Sequence, residues 1–152
     1  MLDLTDRRIL ALLQEDATSS ISDMAEKVGL SATPCWKRVK RLEQAGIIDR
    51  RVAILNRTQL GLGVTVIVAV RTSRHSEEWL QAFAEGVANI PEVLEFYRMS
   101  GEIDYLLKVV VRDIADYDRI YRKLIKVADL RDISSSFAMQ EIKSTTSLPL
   151  FD

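Results

Sequence analysis

The residues best suited to chemistry lie in one stretch, Ser31-Ala-Thr-Pro-Cys-Trp-Lys-Arg-Val-Lys-Arg-Leu-Glu-Gln-Ala-Gly46. Lys37, Lys40, Arg41 and Gln44 recur at i, i+3, i+4, i+7, with Arg38 beside them, so a helix here carries a cationic side. Cys35, Val39 and Leu42 share the same helical spacing on another side and seek a core. Ser31 is placed to cap the N-terminus, and Pro34 is tolerated in the first turn. Gly46 supplies a left-handed residue to end the helix. Lysine and arginine neutralise phosphates, giving salt-sensitive affinity without sequence information. Base readout falls to the N-terminal part of such a helix: Thr33 and Trp36 offer apolar contact to thymine methyl groups, and Lys37 reaches guanine O6 and N7. The candidate contacts to double-stranded DNA are therefore Ser31, Thr33, Trp36, Lys37, Arg38, Lys40 and Arg41, joined by Arg50 and Arg51 further on. Two roles stay open for Trp36, a base contact or a seal between helices. Two kinds of partner stay open for Arg38 and Arg41, phosphate or the acids Glu43 and Asp49.

Charge supports a division of labour. The chain of 152 residues has a net charge of −1, but residues 27–60 hold eight Lys/Arg against two acids, and residues 61–152 hold eleven against fourteen. A basic front on an acidic body places the anionic partner at the first third of the chain. Hydrophobic content of 47% with 28% charged residues belongs to a globular chain. The longest apolar run, 64–70, is too short to cross a bilayer, and no signal peptide opens the sequence, so a cytoplasmic protein without membrane attachment is expected. A single cysteine fits a reducing compartment. On the apolar stripe, Cys35 reads as packing, since a free cysteine commonly behaves as a small hydrophobe.

The elements that must position these residues follow from periodicity. Asp3 is a plausible N-cap, with Asp6 three residues on, for a helix burying Leu4, Ile9, Leu12 and Leu13. A second short helix spans 22–28 and ends at Gly29, and Leu30-Ser31 turns into the basic helix, which makes a helix-turn-helix. Alternation over 47–55 around Asp49, Arg50 and Arg51 predicts a small hairpin, the wing. A polar linker is expected over 56–63. Beyond it the order is strand 64–71, helix 76–89, strand 93–99, strand 103–111, helix 113–127, strand 133–142. The expected fold is α+β: a winged helix-turn-helix domain over 1–55, then a ferredoxin-like βαββαβ sandwich domain over 64–152.

Four fragments in this order resemble the leucine-responsive/asparagine-regulator (Lrp/AsnC) family of transcription regulators: Leu2–Leu10, Met24–Ser31, Arg38–Glu43 followed by Gly46-Ile-Ile48, and Gly101–Leu107. Thr33–Arg38, Ser135–Met139 and Thr145–Leu150 are similar to the branch of that family that activates transcription in response to L-cysteine. The resemblance implies an amino-acid-responsive regulator of amino-acid metabolism genes, a homodimer through the sheet domain assembling to an octamer, and a small amino acid, L-cysteine in this branch, bound between neighbouring sheet domains. A zwitterion needs donors for its carboxylate and acceptors for its ammonium. The resemblance puts these at Met99, Ser100, Gly101 and Asp104, with hydroxyls from Ser134, Ser135 and Ser136; strand alternation puts Ser134 and Ser136 on one face and Ser135 on the other. Where the family usually has Gly-Asp-Tyr-Asp, this chain has Gly101-Glu102-Ile103-Asp104.

No enzyme is expected. The single histidine, His75, falls on a polar loop start and reads as solvated surface, and neither a metal-ligand spacing, a phosphate loop nor an activated nucleophile motif is present. No cofactor or metal is implied. The alternative to an effector-controlled regulator is an architectural DNA-wrapping protein with little effector control. A regulatory subunit acting on an enzyme would have no need of the basic helix.

Overall fold

The computed structural model describes residues 2–73, 76–127 and 132–151; His75 lies outside them. The elements are α1 (Leu4–Glu15), α2 (Ile21–Val28), α3 (Ala32–Gln44), β1 (Val64–Arg71), α4 (Glu77–Ala88), β2 (Val93–Arg98), β3 (Tyr105–Val111), α5 (Ile114–Val127) and β4 (Asp132–Phe137). Contacts divide the chain into two units: a head, of residues up to Ile54 together with those from Ile142 onward, and a sheet domain, Leu55–Glu141. The expected second domain of 64–152 thus differs from Ile142 onward, where the chain groups with the head.

In the head, α1 opens on a capping box in which Asp3 accepts from the Asp6 backbone N–H and Asp6 accepts from that of Asp3. Ser20 caps α2, and Gly29, at φ 70°, ends it. The core joins Ile9 and Leu10 of α1, Met24, Ala25 and Val28 of α2, and Cys35, Val39 and Leu42 of α3. Burial pushes the Cys35 thiol up, which keeps thiolate scarce and fits packing over reactivity.

The expected wing does not form: no strand occurs between α3 and β1 among the described residues. The alternation is present, but Val52, Ile54 and Leu55 are exposed. An isolated two-stranded hairpin with no layer beneath it is marginal in water, so this segment forms no strand pairing.

The sheet domain has the expected ferredoxin-like topology, with strand order β2-β3-β1-β4 and every neighbour antiparallel. Val66, Val68 and Val70 of β1 and Leu107 and Val109 of β3 point to one face, where α4 and α5 cover them with Phe83, Val87, Ile120 and Leu124. Ile67, Ala69, Leu106 and Lys108 alternate onto the opposite face and are only half-buried. The last strand stops at Phe137, five residues before the expected Ile142. Phe137 pairs with Val66 and the Ala138 N–H reaches the Thr65 carbonyl at 2.9 Å; past that point β1 has ended and offers no ladder.

Gly86 lets α4 and α5 approach, because a Cβ there would overlap Val127 Cγ1 and Cγ2. Gly86→Ala is expected to destabilise the sheet domain by about 1–2 kcal/mol through overpacking, despite alanine's higher helix propensity. Adding Val127→Ala should recover much of that loss, a non-additivity that urea titrations of the single and double variants would read. A Gly86→Ala protein at least as stable as the parent would refute the close packing.

Candidate DNA interface and ligand-binding turn

The basic helix forms as spaced. Cys35, Val39 and Leu42 are buried, and Ser31, Thr33, Trp36, Lys37, Lys40 and Arg41 are exposed. Gly46 (φ 69°) turns the chain one residue after the C-cap, Ala45. One local expectation fails: Ser31 occupies the N-cap but its hydroxyl makes no capping bond. The reason is Pro34, which sits at the third helical position and lacks the N–H that such a side chain would take. The Ser31 hydroxyl and the first backbone N–H groups of α3 are thereby left at an exposed helix N-terminus, a favourable place for a phosphate. Trp36 is 49% exposed, so it does not seal the helix contact.

The cations of this region divide into two groups that spacing alone does not separate. Arg38 Nη1 reaches Asp3 at 2.6 Å and Asp6 at 2.8 Å, and Arg41 Nη2 reaches Asp6 at 2.5 Å. The Asp6 side chain is 1% exposed. A buried carboxylate on α1 thus clamps two arginines of α3, and the acids that hold them are neither Glu43 nor Asp49. The N-cap bond from the Asp6 N–H, followed by the Arg38 guanidinium, holds the Asp3 carboxyl below its ordinary range, and Arg38 is pushed up by the same two acids. Lys40 and Arg51 both bind Glu43, at 2.8 and 2.9 Å, while Arg50 has only a loose 3.8 Å approach to Asp49. Lys37 makes no ion pair among the described residues. The exposed stripe Ser31, Thr33, Trp36, Lys37 therefore keeps its polar groups free, while Arg38 and Arg41 serve the fold as well as any ligand. Asp3 and Asp6 were missed as part of this site; their Asp-x-x-Asp pattern signals only a helix cap.

In the sheet domain, Met99, Ser100, Gly101 and Asp104 share the turn from β2 to β3. The Met99 N–H donates to the Asp104 carbonyl (2.8 Å), the Asp104 N–H to the Val70 carbonyl (3.0 Å), and the Thr72 N–H to Asp104 Oδ2 (2.8 Å). Asp104 therefore ties the turn to the end of β1. Gly101 has φ 122°, a conformation that side-chain-bearing residues rarely adopt. Arg71, which the motif reading missed, links the turn to β4: its Nε donates to the Glu102 carbonyl at 2.9 Å and its Nη1 lies 3.5 Å from Asp132. Ser134 and Ser136 lie exposed on β4, opposite Ala69 and Ile67, whereas Ser135 turns to the helix side and hydrogen-bonds the Tyr117 hydroxyl. Asp132 stands at the turn's end of the sheet, and Ser136 is four residues further along the strand, roughly 13 Å away.

A helix-turn-helix head with an exposed basic helix, followed by a βαββαβ domain, is the arrangement of a DNA-binding regulator with a ligand-binding domain. The winged helix-turn-helix DNA-binding family matches residues 2–49, and the Lrp/AsnC ligand binding domain matches residues 65–148. The chain is 52% identical over 151 residues to the DNA-binding transcriptional activator DecR of Escherichia coli K12, covering 99% of both proteins. It is 49% identical over 149 residues to the glutamate uptake regulatory protein of Zymomonas mobilis, covering 98% of this chain and 91% of the relative. An AsnC family transcriptional regulator from Agrobacterium tumefaciens superposes with a TM-score of 0.96 at 55% identity, covering 98% of this chain and 97% of the other. A Neisseria meningitidis transcriptional regulator solved as an L-Met complex superposes at 0.93 with 36% identity, covering 99% and 97%. The chain belongs to the Lrp/AsnC family of transcription regulators. It is a regulator and not an enzyme, and none of its described helices is long and apolar enough to cross a membrane.

Proposed function

We propose that this protein is an L-cysteine-responsive transcriptional regulator of amino-acid metabolism genes that acts in the cytoplasm. DNA is read by Thr33, Trp36 and Lys37, and phosphates are bound by Ser31, Lys40, Arg41, Arg50 and Arg51, with Arg38 bracing the helix. The observation that carries this reading is the exposed α3 stripe in which Lys37 has no counter-ion among the described residues and stands beside a half-exposed Trp36. The effector sits at the 99–104 turn, where backbone groups and Asp104 meet the zwitterion and Ser134 and Ser136 contribute hydroxyls; Ser135, bound to Tyr117, steadies β4. The half-buried face of the sheet, with Ile67, Ala69 and Leu106, joins a second copy, and such dimers build the octamer. Support for an amino acid as ligand comes from the matched ligand-binding domain and from the L-Met complex of the Neisseria regulator. Support for cysteine comes from the Thr33–Arg38, Ser135–Met139 and Thr145–Leu150 segments.

A thermal-shift screen of the twenty amino acids tests the effector, because a ligand that binds only the folded state raises its melting temperature. L-Cysteine is expected to give the largest shift and to alter a gel-shift titration on promoter DNA. Asp104→Ala should lose both responses while keeping its DNA affinity without amino acid within about twofold, a change below 0.5 kcal/mol. A larger shift with methionine or glutamate, and none with cysteine, would reassign the effector. Uniform, sequence-tolerant coverage of DNA unaffected by any amino acid would instead make this an architectural DNA-wrapping protein.

A further inference from the structure

The chain passes between head and sheet domain twice, once after Ile54 and again after Glu141. The second passage ends in a docked segment. Arg7 Nη1 donates to the Leu150 carbonyl at 2.5 Å, and Gln14 grips the Leu148 backbone from both sides, its Oε1 accepting from the Leu148 N–H at 2.6 Å and its Nε2 donating to the Leu148 carbonyl at 3.1 Å. The Leu150 side chain packs on the head core, whereas Leu148 is 70% exposed, so Leu148 is held by its backbone alone. Arg7 and Gln14 are seven residues apart, two turns along one side of α1. The later tail residue meets the earlier helix residue, so the tail runs antiparallel to α1. Pro149, between the two anchored residues, has no N–H to leave unsatisfied and a φ already set near the extended form, which lowers the entropy lost on docking.

We propose that the tail is a strap through which the head and β4 sense one another: α1 is a receptor for this extended Leu-Pro-Leu segment of the same chain, and DNA bound at α3 changes the stability of β4 through it. Ala138 is bonded to Thr65 and Glu141 is held by Arg57 at 2.8 Å within the sheet domain, so the residues between that anchor and the docked segment, 142–147, form a tether of at most about 21 Å when fully extended. A tether this short keeps the segment at high effective concentration beside its receptor. β4 is an edge strand, bonded to β1 alone, and a strand paired on one side and tethered at its C-terminal end is open to local change. The inference rests on DNA binding by the head and is independent of which amino acid is the effector.

Amide hydrogen exchange on the full-length protein tests it, with and without a mixed-sequence duplex at low salt, where phosphate contacts suffice for binding. The wild-type protein is expected to show a slow Leu148 amide, and DNA should slow exchange at α3 and, several-fold, at β4. Gln14→Ala, a favourable helix substitution on the surface of α1, should speed Leu148 exchange at least tenfold and abolish the β4 response while leaving that of α3. Gln14→Glu, which keeps the acceptor and loses the donor, should fall between them. A Leu148 amide equally slow in Gln14→Ala would overturn the docking. A β4 response equal in both proteins, or absent from the wild type, would overturn the strap. The thermal-shift result with amino acids bears on neither outcome.

Discussion

Asp6→Ala is expected to lower the stability of the head by about 3 kcal/mol, the cost of breaking a buried ion pair by removing one partner. Among the described residues of the head, Asp6 is the one charged side chain that is both fully buried and shared by three donors: the Asp3 N–H, Arg38 and Arg41. Removing it leaves two guanidinium groups without their common acceptor and opens the capping box at the start of α1. The loss stays near the low end of the range for buried pairs because Arg38 and Arg41 are themselves 29% and 57% exposed and can turn to water. Asp6→Asn retains the size of the side chain and one acceptor but not the charge, and should lose less. For a unit of this size the loss corresponds to a drop in melting temperature of roughly 12–24 °C. Calorimetry of the full chain would detect it as an earlier head transition with the sheet domain unchanged. An Asp6→Ala head that melts within a few degrees of wild type would mean that the arginines are held by something else.

The contrast between Asp6 and the basic helix explains what could be read from the chain and what could not. Helical spacing made Cys35, Val39 and Leu42 legible as core and the Lys/Arg side legible as surface, because both patterns are local. The order of elements made the βαββαβ topology legible for the same reason, each strand and helix declaring its own period. The partner of Arg38 and Arg41 was illegible: it stands 32 and 35 residues away, and only the packing of α1 against α3 brings it near. Arg71 was likewise hidden, since its place beside the β2–β3 turn depends on β1 lying between β3 and β4. Alternation misled over 47–55, and the last strand was carried too far over 138–142, because no neighbouring strand offers a ladder to either segment. The tail gave no periodic signal at all, because Leu148 is bound through its backbone, which every residue type carries.

Lys37→Ala is expected to weaken DNA binding by about 1–3 kcal/mol, five- to 150-fold, with the melting temperature unchanged. The stability half of this expectation follows from the structure: Lys37 makes no ion pair among the described residues, and alanine is the better helix former at an exposed position. The affinity half follows from the proposed contact near the N-terminal part of α3. Among the described residues, Lys37 is the cation there with no acid in ion-pair reach, so no such pair neutralises its charge before DNA arrives. Arg41→Ala provides the comparison, since its guanidinium is engaged by Asp6 at 2.5 Å; it should lose head stability as well as affinity. The salt dependence then separates the two kinds of contact. If Lys37 binds a phosphate, the slope of log affinity against log salt falls by about 0.9 and all sequences weaken alike. If it reads guanine, the slope barely changes and discrimination at one base pair relaxes. Fluorescence anisotropy on specific and scrambled duplexes at several salt concentrations distinguishes these cases. Wild-type affinity for both duplexes, with an unaltered slope, would remove Lys37 from the interface and shift the reading of bases to Trp36 and Thr33.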